Sequence, residues 1–439
     1  MNRRWIRRTA AMCAAGALTL GLGGCAGAAG GGGAAGSGKE LTYWSMWKEG
    51  EPQQKALSAA IEDFTAETGI KVKVQWQGRD VLKKLQPTLR GVPAADLIDR
   101  NLPQVKSMMV STNSAADLWD VLKEPIPGES GKTVGDVVPE KYLELGKADG
   151  KQVVLPYAVV AGGLWYDGKS FPALGRKSPK NWDAFRATLD AEKEAGRAPL
   201  ALDADIPDYS AYWYSNFVVA AKGPGSFHRA AADKTGKLWK EPAYVKAAER
   251  VSSLAKGGYF ADGYDASKFP AIQQKWATGK AGFLLMGSWI AGETKPYAKS
   301  GFDFKMLPFP TDGAPGAGTP VEATTFGWVV PSKAKQGEAA RKFVAFLYSK
   351  QQMQAYADEA QGIVAREDIT VAPAMADAAK SLKENTPYHT FDGVDMDFAE
   401  WWTKTFHPLH TRLVTGKISA QDFSDQLAAQ SADHWKRTG

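Results

Sequence analysis

Cysteine is nearly missing from this chain of 439 residues: there are two, Cys13 and Cys25, both close to the start. The body that follows therefore has neither a disulfide nor a cysteine-based metal site to brace it. Histidine is also scarce, with five in all, and His407 and His410 flank Pro408, which is expected to disrupt a helical pair of metal ligands. Long apolar runs are lacking. Residues 10–22 form a run of mainly Ala, Leu and Gly, short of the roughly 20 apolar residues that cross a bilayer. Catalytic signatures are missing as well. Gly128-Glu129-Ser130-Gly131-Lys132-Thr133 imitates the end of a phosphate loop, but the first glycine would stand at Ile126. No Gly-x-Ser-x-Gly elbow occurs, and no pair of carboxylates is singled out for glycoside hydrolysis.

What is present begins with an export signal. Arg3, Arg4, Arg7 and Arg8 give a positive start, the run over 10–22 an apolar middle, and Gly23 and Gly24 the small residues a signal peptidase needs. The paired arginines also suit twin-arginine export. Leu22-Gly23-Gly24-Cys25 resembles the bacterial lipobox, in which the cysteine sulfur receives a diacylglycerol and becomes the mature N-terminus; the competing reading is an ordinary secretory signal with an incidental cysteine. The Gly/Ala/Ser string over 26–38 has the composition of a flexible tether with an end-to-end distance near ~20 Å, which favours the lipid anchor. The expected organisation is thus a lipoprotein signal peptide over 1–24 and a lipidated Cys25 with its tether over 25–40. Losing the leader removes four arginines and no acid, so the net charge of +6 falls to +2. That is too weak a field to argue for nucleic acid.

The remaining length is too great for one ordinary core and suggests two lobes. Fourteen of the fifteen tryptophans lie beyond the leader, and indole is a good flat surface for a sugar ring, so the count favours carbohydrate contact. Residues 41–47 read as an aromatic strand, Pro52 opens a helix carrying Leu57, Ala60, Ile61 and Phe64 on one face, and Gly69 stops it. Ile70, Val72, Val74 and Trp76 then alternate with polar residues as a half-buried strand, completing a βαβ unit. A parallel sheet flanked by helices follows, with ligands outside the carboxyl ends of its strands. Further strands are expected at 96–98, at 151–160 with a break at Pro156-Tyr157, before Trp289, and at 326–330, and a surface loop over 311–320.

Trp47 stands at a strand's carboxyl end beside Glu49, where the indole could stack on a sugar and the carboxylate accept hydroxyls, or where the ring could cap the core. Trp289 follows a strand ending in Gly287-Ser288, whose small residues let a ligand approach. Tyr157 faces either the cleft or hinge packing, and Tyr209 and Trp213 belong to an aromatic helix or loop too polar to be wholly core. Asp99, Asn101 and Glu322 are polar groups at expected cleft edges. Trp401 and Trp402 are adjacent, so at least one is structural.

Several segments together carry a family resemblance: residues 64–72, Ala95-Asp96-Leu97-Ile98, Leu155-Pro156-Tyr157 followed by Leu164-Trp165-Tyr166-Asp167, and Pro179 to Trp182. Thr278-Gly279-Lys280-Ala281, Gly287-Ser288-Trp289 and residues 327–340 complete the set. In order and spacing they resemble the extracellular solute-binding proteins of bacterial ABC importers, in particular those that deliver sugars. The chain departs from them at Val364, where members often carry proline. The resemblance implies a two-lobed α/β periplasmic-binding-protein-like fold with a hinge near Tyr157, Phe326 and Gly362 and an interlobe ligand cleft. Lobe 1 would comprise 41–157 plus 328–362, and lobe 2 158–327 plus 363–439. It further implies a monomer that is not an enzyme, needs no cofactor or metal, and hands a sugar, here a short oligosaccharide, to permease subunits outside the cell membrane. Phe326 and Arg366 join the candidate contacts on this basis. A secreted glycan hydrolase and a receptor of the same fold for a non-sugar solute are the alternatives.

Overall fold

The computed structural model describes residues 39–312 and 319–438. The signal peptide and the expected lipid site at Cys25 lie outside the described residues, as do residues 313–318 of the Pro/Gly loop. The first strand, β1 (Glu40–Ser45), leads to α1 (Pro52–Thr68), which starts on Pro52 and ends on Gly69 in the left-handed conformation that glycine adopts without a Cβ penalty. Leu57, Ala60, Ile61 and Phe64 are its buried face, as their spacing requires. Next come β2 (Lys71–Trp76) and β3 (Leu97–Asn101), both parallel to β1. β2 is an edge strand whose alternate residues are only half-buried.

A long strand, β4 (Leu155–Asp167), follows, and then α2 (Trp182–Glu194), capped by the Asn181 side chain on the Ala184 N–H. The chain continues through β5 (Ala198–Ala201), α3 (Pro207–Lys222), β6 (Ala281–Gly287), β7 (Phe304–Leu307) and β8 (Val321–Val329). After α4 (Gly337–Leu347) and α5 (Lys350–Ala360) come the short strands β9 (Ile363–Val364) and β10 (Pro387–His389) and the helices α6 (His407–Val414) and α7 (Ala420–Thr438).

The sheet is mixed, which corrects the expected parallel one. Its order is β2-β1-β3-β8-β4-β6-β5, with β9 and β7 on β4 and β10 on β8. The βαβ start is parallel, but β8 runs antiparallel to β3 and to β4, and β4 antiparallel to β6. A reading from local periodicity could not see this, because direction is set by which distant strand fills each slot. The first half of β4 pairs with β8 and β9, and its second half, from Gly162, with β6 and β7. One strand thus belongs to two sections of sheet, and β8 and β9 meet it where it passes from one to the other.

Pro156 does not break β4. It is the strand's second residue and falls at a register shift opposite Phe326 and Gly327, where an irregular ladder tolerates the missing N–H. Pro408 likewise does not break a helix. It lies in the first turn of α6, directly after a π-helical turn at Trp402–Phe406, where its N–H is not needed. His407 and His410 therefore do share a helix, yet His410 is buried with both ring nitrogens unpartnered and His407 lies 3.0 Å from Asp208. Among the described residues no group of three His, Cys, Asp or Glu could hold a metal ion, and no helix is long and apolar enough to cross a membrane. Trp401 and Trp402 are both buried, the first stacked on Trp239 and the second on Phe406.

Candidate functional site

Side chains alternate along a strand, so Glu322, Thr324 and Phe326 share one face of β8. Paired with them on β4 are Ala158, opposite Phe326, and Val160, opposite Thr324. Gly162 comes next on the same face of β4 and stands opposite Gly287 of β6. Thr324, Phe326, Val160 and Gly162 are partly exposed, whereas their neighbours in both strands are buried. A floor therefore opens where β8 pairs with β4, beside the point at which β4 passes from one section of sheet to the other. From Thr324 to Phe326 its open part on β8 runs about 7 Å at roughly 3.3 Å per residue, with the buried Glu322 one step beyond.

Glycines shape one end of this floor. A Cβ on Gly287 would lie 2.2 Å from Cζ3 of Trp289, so only glycine lets the indole fold back over the strand. A Cβ on Gly162 would stand 3.2 Å from both Cβ and Oε2 of Glu322. The Gly162–Gly287 pair thus brings Trp289 and Glu322 onto one face. Trp289 is half-exposed, whereas Glu322 is buried, accepting hydrogen bonds from Asn216 Nδ2 (2.9 Å) and the Phe391 N–H (2.7 Å). Burial pushes its carboxyl up to about 7, against the opposing pull of those two donors. Tyr209, also half-buried, packs edge-on against Phe269, and burial followed by the carboxylate of Glu293, in the turn after Trp289, pushes its hydroxyl up to about 12.

The other end is walled by Trp47. Its ring is 6% exposed, because the Arg79 guanidinium lies over it at 4.5 Å and Phe326 meets it edge-on at 5.7 Å. The indole N–H donates to the Tyr157 hydroxyl (2.9 Å), which donates onward to Asp99 (3.0 Å). Asn101, opposite Phe326, is half-buried with its Oδ1 shielded from solvent and unpartnered. Glu49 is exposed on the loop after β1.

Four expected contacts fall elsewhere. Trp213 is fully buried in α3 among Phe217, Phe260 and Phe309, and all of that helix from Ser210 to Ala220 is buried, so the aromatic stretch is core. Asp99 is fully buried and already accepts from the Tyr43 and Tyr157 hydroxyls and the Met46 N–H; its carboxyl is raised by that burial. Tyr157 is closed off too, stacked on Trp328 at 4.4 Å, so its ring offers no open surface to a ligand. Arg366 makes two-point ion pairs with Glu129 and Asp368 and donates to the Tyr348 carbonyl, leaving no donor for a ligand. Glu129 belongs to the segment that imitates a phosphate loop, so that segment is a clamp for Arg366.

Sequence reasoning missed Arg79, Arg100 and Asn216. Arg79 leaves the carboxyl end of β2 and Arg100 that of β3, the positions the strand pattern marks, whereas Asn216 had no signal because only the fold brings α3 against Glu322. Grooves of about 830 and 730 Å³ lie beside Gln86, Met108 and Ser332 and beside Lys177, Phe309 and Lys380; neither includes a residue of the floor.

The chain matches the family of bacterial extracellular solute-binding proteins over residues 48–354 and belongs to it. One relative, described as a probable sugar-binding periplasmic protein of Mesorhizobium japonicum, is 28% identical over 180 residues, covering 40% of this chain and 42% of that protein. The multiple sugar-binding protein of Streptococcus mutans is 24% identical over 238 residues, 52% of this chain and 55% of the other. The chain thus spans about half or less of the length of these curated relatives. Among solved structures, the bacterial solute receptor AcbH, described as exclusively preferring β-D-galactopyranose, superposes with a TM-score of 0.74 at 16% identity, covering 91% of this chain and 99% of that one. The fold is that of these two-lobed solute receptors, and the relatives are described as binding proteins.

Proposed function

We propose that this protein captures a sugar, a short oligosaccharide, in a cleft floored by the β4–β8 crossover, and passes it to the permease subunits of an ABC importer. Lobe 1 would be 41–157 plus 328–362 and lobe 2 158–327 plus 363–439, hinged where β4, β8 and β9 meet. The observation that carries this reading is the partly exposed Trp289 laid over Gly287, a flat apolar surface at one end of the floor. The descriptions of the relatives as sugar-binding support the ligand class. A sugar that touches both lobes only when they meet supplies the differential affinity for closure, which the permease would read. The protein would act as a monomer without cofactor or chemistry, tethered outside the membrane by a lipid on Cys25.

The test is a thermal-shift and calorimetry screen of the purified protein against mono- and oligosaccharides, with product analysis of each hit. A solute at a hundred times its dissociation constant adds about 2.7 kcal/mol of stability. Intact sugar bound one to one is expected. Cleaved sugar would mean a hydrolase, and silence with every sugar would mean a non-sugar solute. For the anchor, mass spectrometry of the membrane-extracted protein should find diacylglycerol on Cys25, and a Cys25→Ala variant should be shed.

A further inference from the structure

Two guanidinium groups converge on Met46, at the carboxyl end of β1. Arg79 donates to the Met46 carbonyl (2.7 Å), and Arg100 Nη1 lies 3.8 Å from the Met46 sulfur. Their charges are answered differently. Arg79 makes a two-point pair with Glu51 at 2.9 and 3.0 Å. Arg100 has no carboxylate partner among the described residues, its Nε is shielded from solvent without an acceptor, and the adjacent Asp99 spends its oxygens on Tyr43, Tyr157 and Met46. Burial, and after it the neighbouring charge of Arg79, disfavour its protonated form, with the Asp99 carboxylate pulling the other way without offsetting them. A partly desolvated cation beside another cation is costly unless an anion arrives.

The same strand end offers acceptors. Asn101 Oδ1 and Gln104 Oε1 are shielded and unpartnered. Arg100 and Asn101 are consecutive in β3, opposite Gly327 and Phe326 of β8, so their side chains leave opposite faces of the sheet, Asn101 on the face of the floor and Arg100 on the other, where it reaches Met46. A ligand lying across the strand's carboxyl end, where ligands of such sheets bind, meets both. Hydroxyl groups suit the two amide oxygens, and a carboxylate suits the guanidinium, whose planar donors it can engage side-on.

From this juxtaposition we propose that the solute is an acidic sugar, one bearing a carboxylate as in a uronic acid, and that Arg100 receives that group with Arg79 adding a second positive charge. The proposal rests on the sugar-binding reading above and narrows it.

Matched pairs test it: galacturonate oligomers against neutral galactose oligomers, and glucuronate-branched against unbranched xylo-oligosaccharides, titrated into the purified protein by calorimetry and tryptophan fluorescence. The acidic member of at least one pair is expected to bind about tenfold or more tighter, with an advantage that shrinks as salt rises. Arg100→Gln should cost the acidic member about tenfold more affinity than its neutral partner, so that the advantage is lost, and Arg100→Lys, which restores the charge, should recover part of it. Circular dichroism confirms that each variant is folded. Equal or tighter binding of the neutral members overturns the acidic-solute proposal and leaves the sugar receptor standing, as does an Arg100→Gln loss that is the same for both members. No binding of any saccharide overturns both.

Discussion

Helix α3 and the crossover floor both gather aromatic rings, and they use them in opposite ways. In α3, Tyr212, Trp213, Tyr214 and Phe217 are buried, and their partners, Phe260, Phe309, Phe391 and Phe406 among them, come from segments far apart in the chain. On the floor, Trp289 and Phe326 keep part of their rings open, because glycine or alanine stands beside them in the facing strand. What separates a core aromatic from a candidate platform is the neighbour's size and the strand-end position. The abundance of tryptophan does not make that distinction.

The largest expected effect breaks the core side of this contrast. Trp213→Ala should destabilise the protein by about 3–5 kcal/mol, since it empties a volume that rigid rings cannot refill, and denaturant unfolding measures it. Solute affinity of the fraction that stays folded should be unchanged. A large affinity loss with little loss of stability would move Trp213 back to the cleft.

The next effect concerns the buried carboxyl at the floor's end. Glu322 ionises near 4.5 in an unfolded chain and only near 7 in the fold. Between those values the folded protein holds a proton that the unfolded chain has released, so the stability contribution of this group is full below about pH 4.5, falls up to about pH 7 and is flat above. Comparing wild type with Glu322→Gln by urea unfolding from pH 4 to 8 should show their difference changing by about 3 kcal/mol across that window. Asp395, also raised to about 7 by burial, leaves a residual slope of the same sign in the variant. A difference that does not vary with pH would show that Glu322 is ionised in the fold.

Trp289→Ala sharpens the contrast from the floor side. It should weaken sugar binding about tenfold or more, while costing clearly less stability than Trp213→Ala because the ring is already half outside. Gly287→Ala should mimic it in part, since the new Cβ would collide with the indole and push it off the strand.

Some elements were legible because they rest on local physics: Pro52 and Gly69 bracket α1, and alternation marks β2. What the sequence did not reveal was set by distant partners. The polarity of the α3 stretch suggested that it was not wholly core, yet Ser215 and Asn216 satisfy their hydrogen bonds on Tyr212 and Glu322, so the helix is buried from Ser210 to Ala220 and only its ends reach solvent. Asp99 and Arg366 read as ligand groups for the converse reason: their partners, Tyr43 and Tyr157 in one case and Glu129 and Tyr348 in the other, are 18 to 237 residues away. Trp289 and Asn101 could be singled out because strand ends and flanking small residues are local signals, whereas Phe326 entered through the family resemblance alone.

The smallest effect tests whether the two ends of the floor belong to separate lobes. Lys106, just after β3, pairs with Asp397 at 2.6 Å, and Asp397 also holds His228 at 2.8 Å; under the proposed boundaries the first pair joins lobe 1 to lobe 2 and the second stays within lobe 2. Both partners of the first pair are about a quarter exposed, so water screens it and its worth is about 1 kcal/mol or less. Lys106→Ala should therefore hardly move the melting temperature of the free protein. If the pair forms only as the lobes meet, the variant should instead weaken sugar affinity by a few fold, faster dissociation accounting for the loss, and 0.5 M salt should reproduce this in wild type at roughly the same size. Equal losses of stability and affinity would mean that Lys106 and Asp397 stay together in the open form, so that the hinge lies elsewhere than the β4–β8–β9 junction.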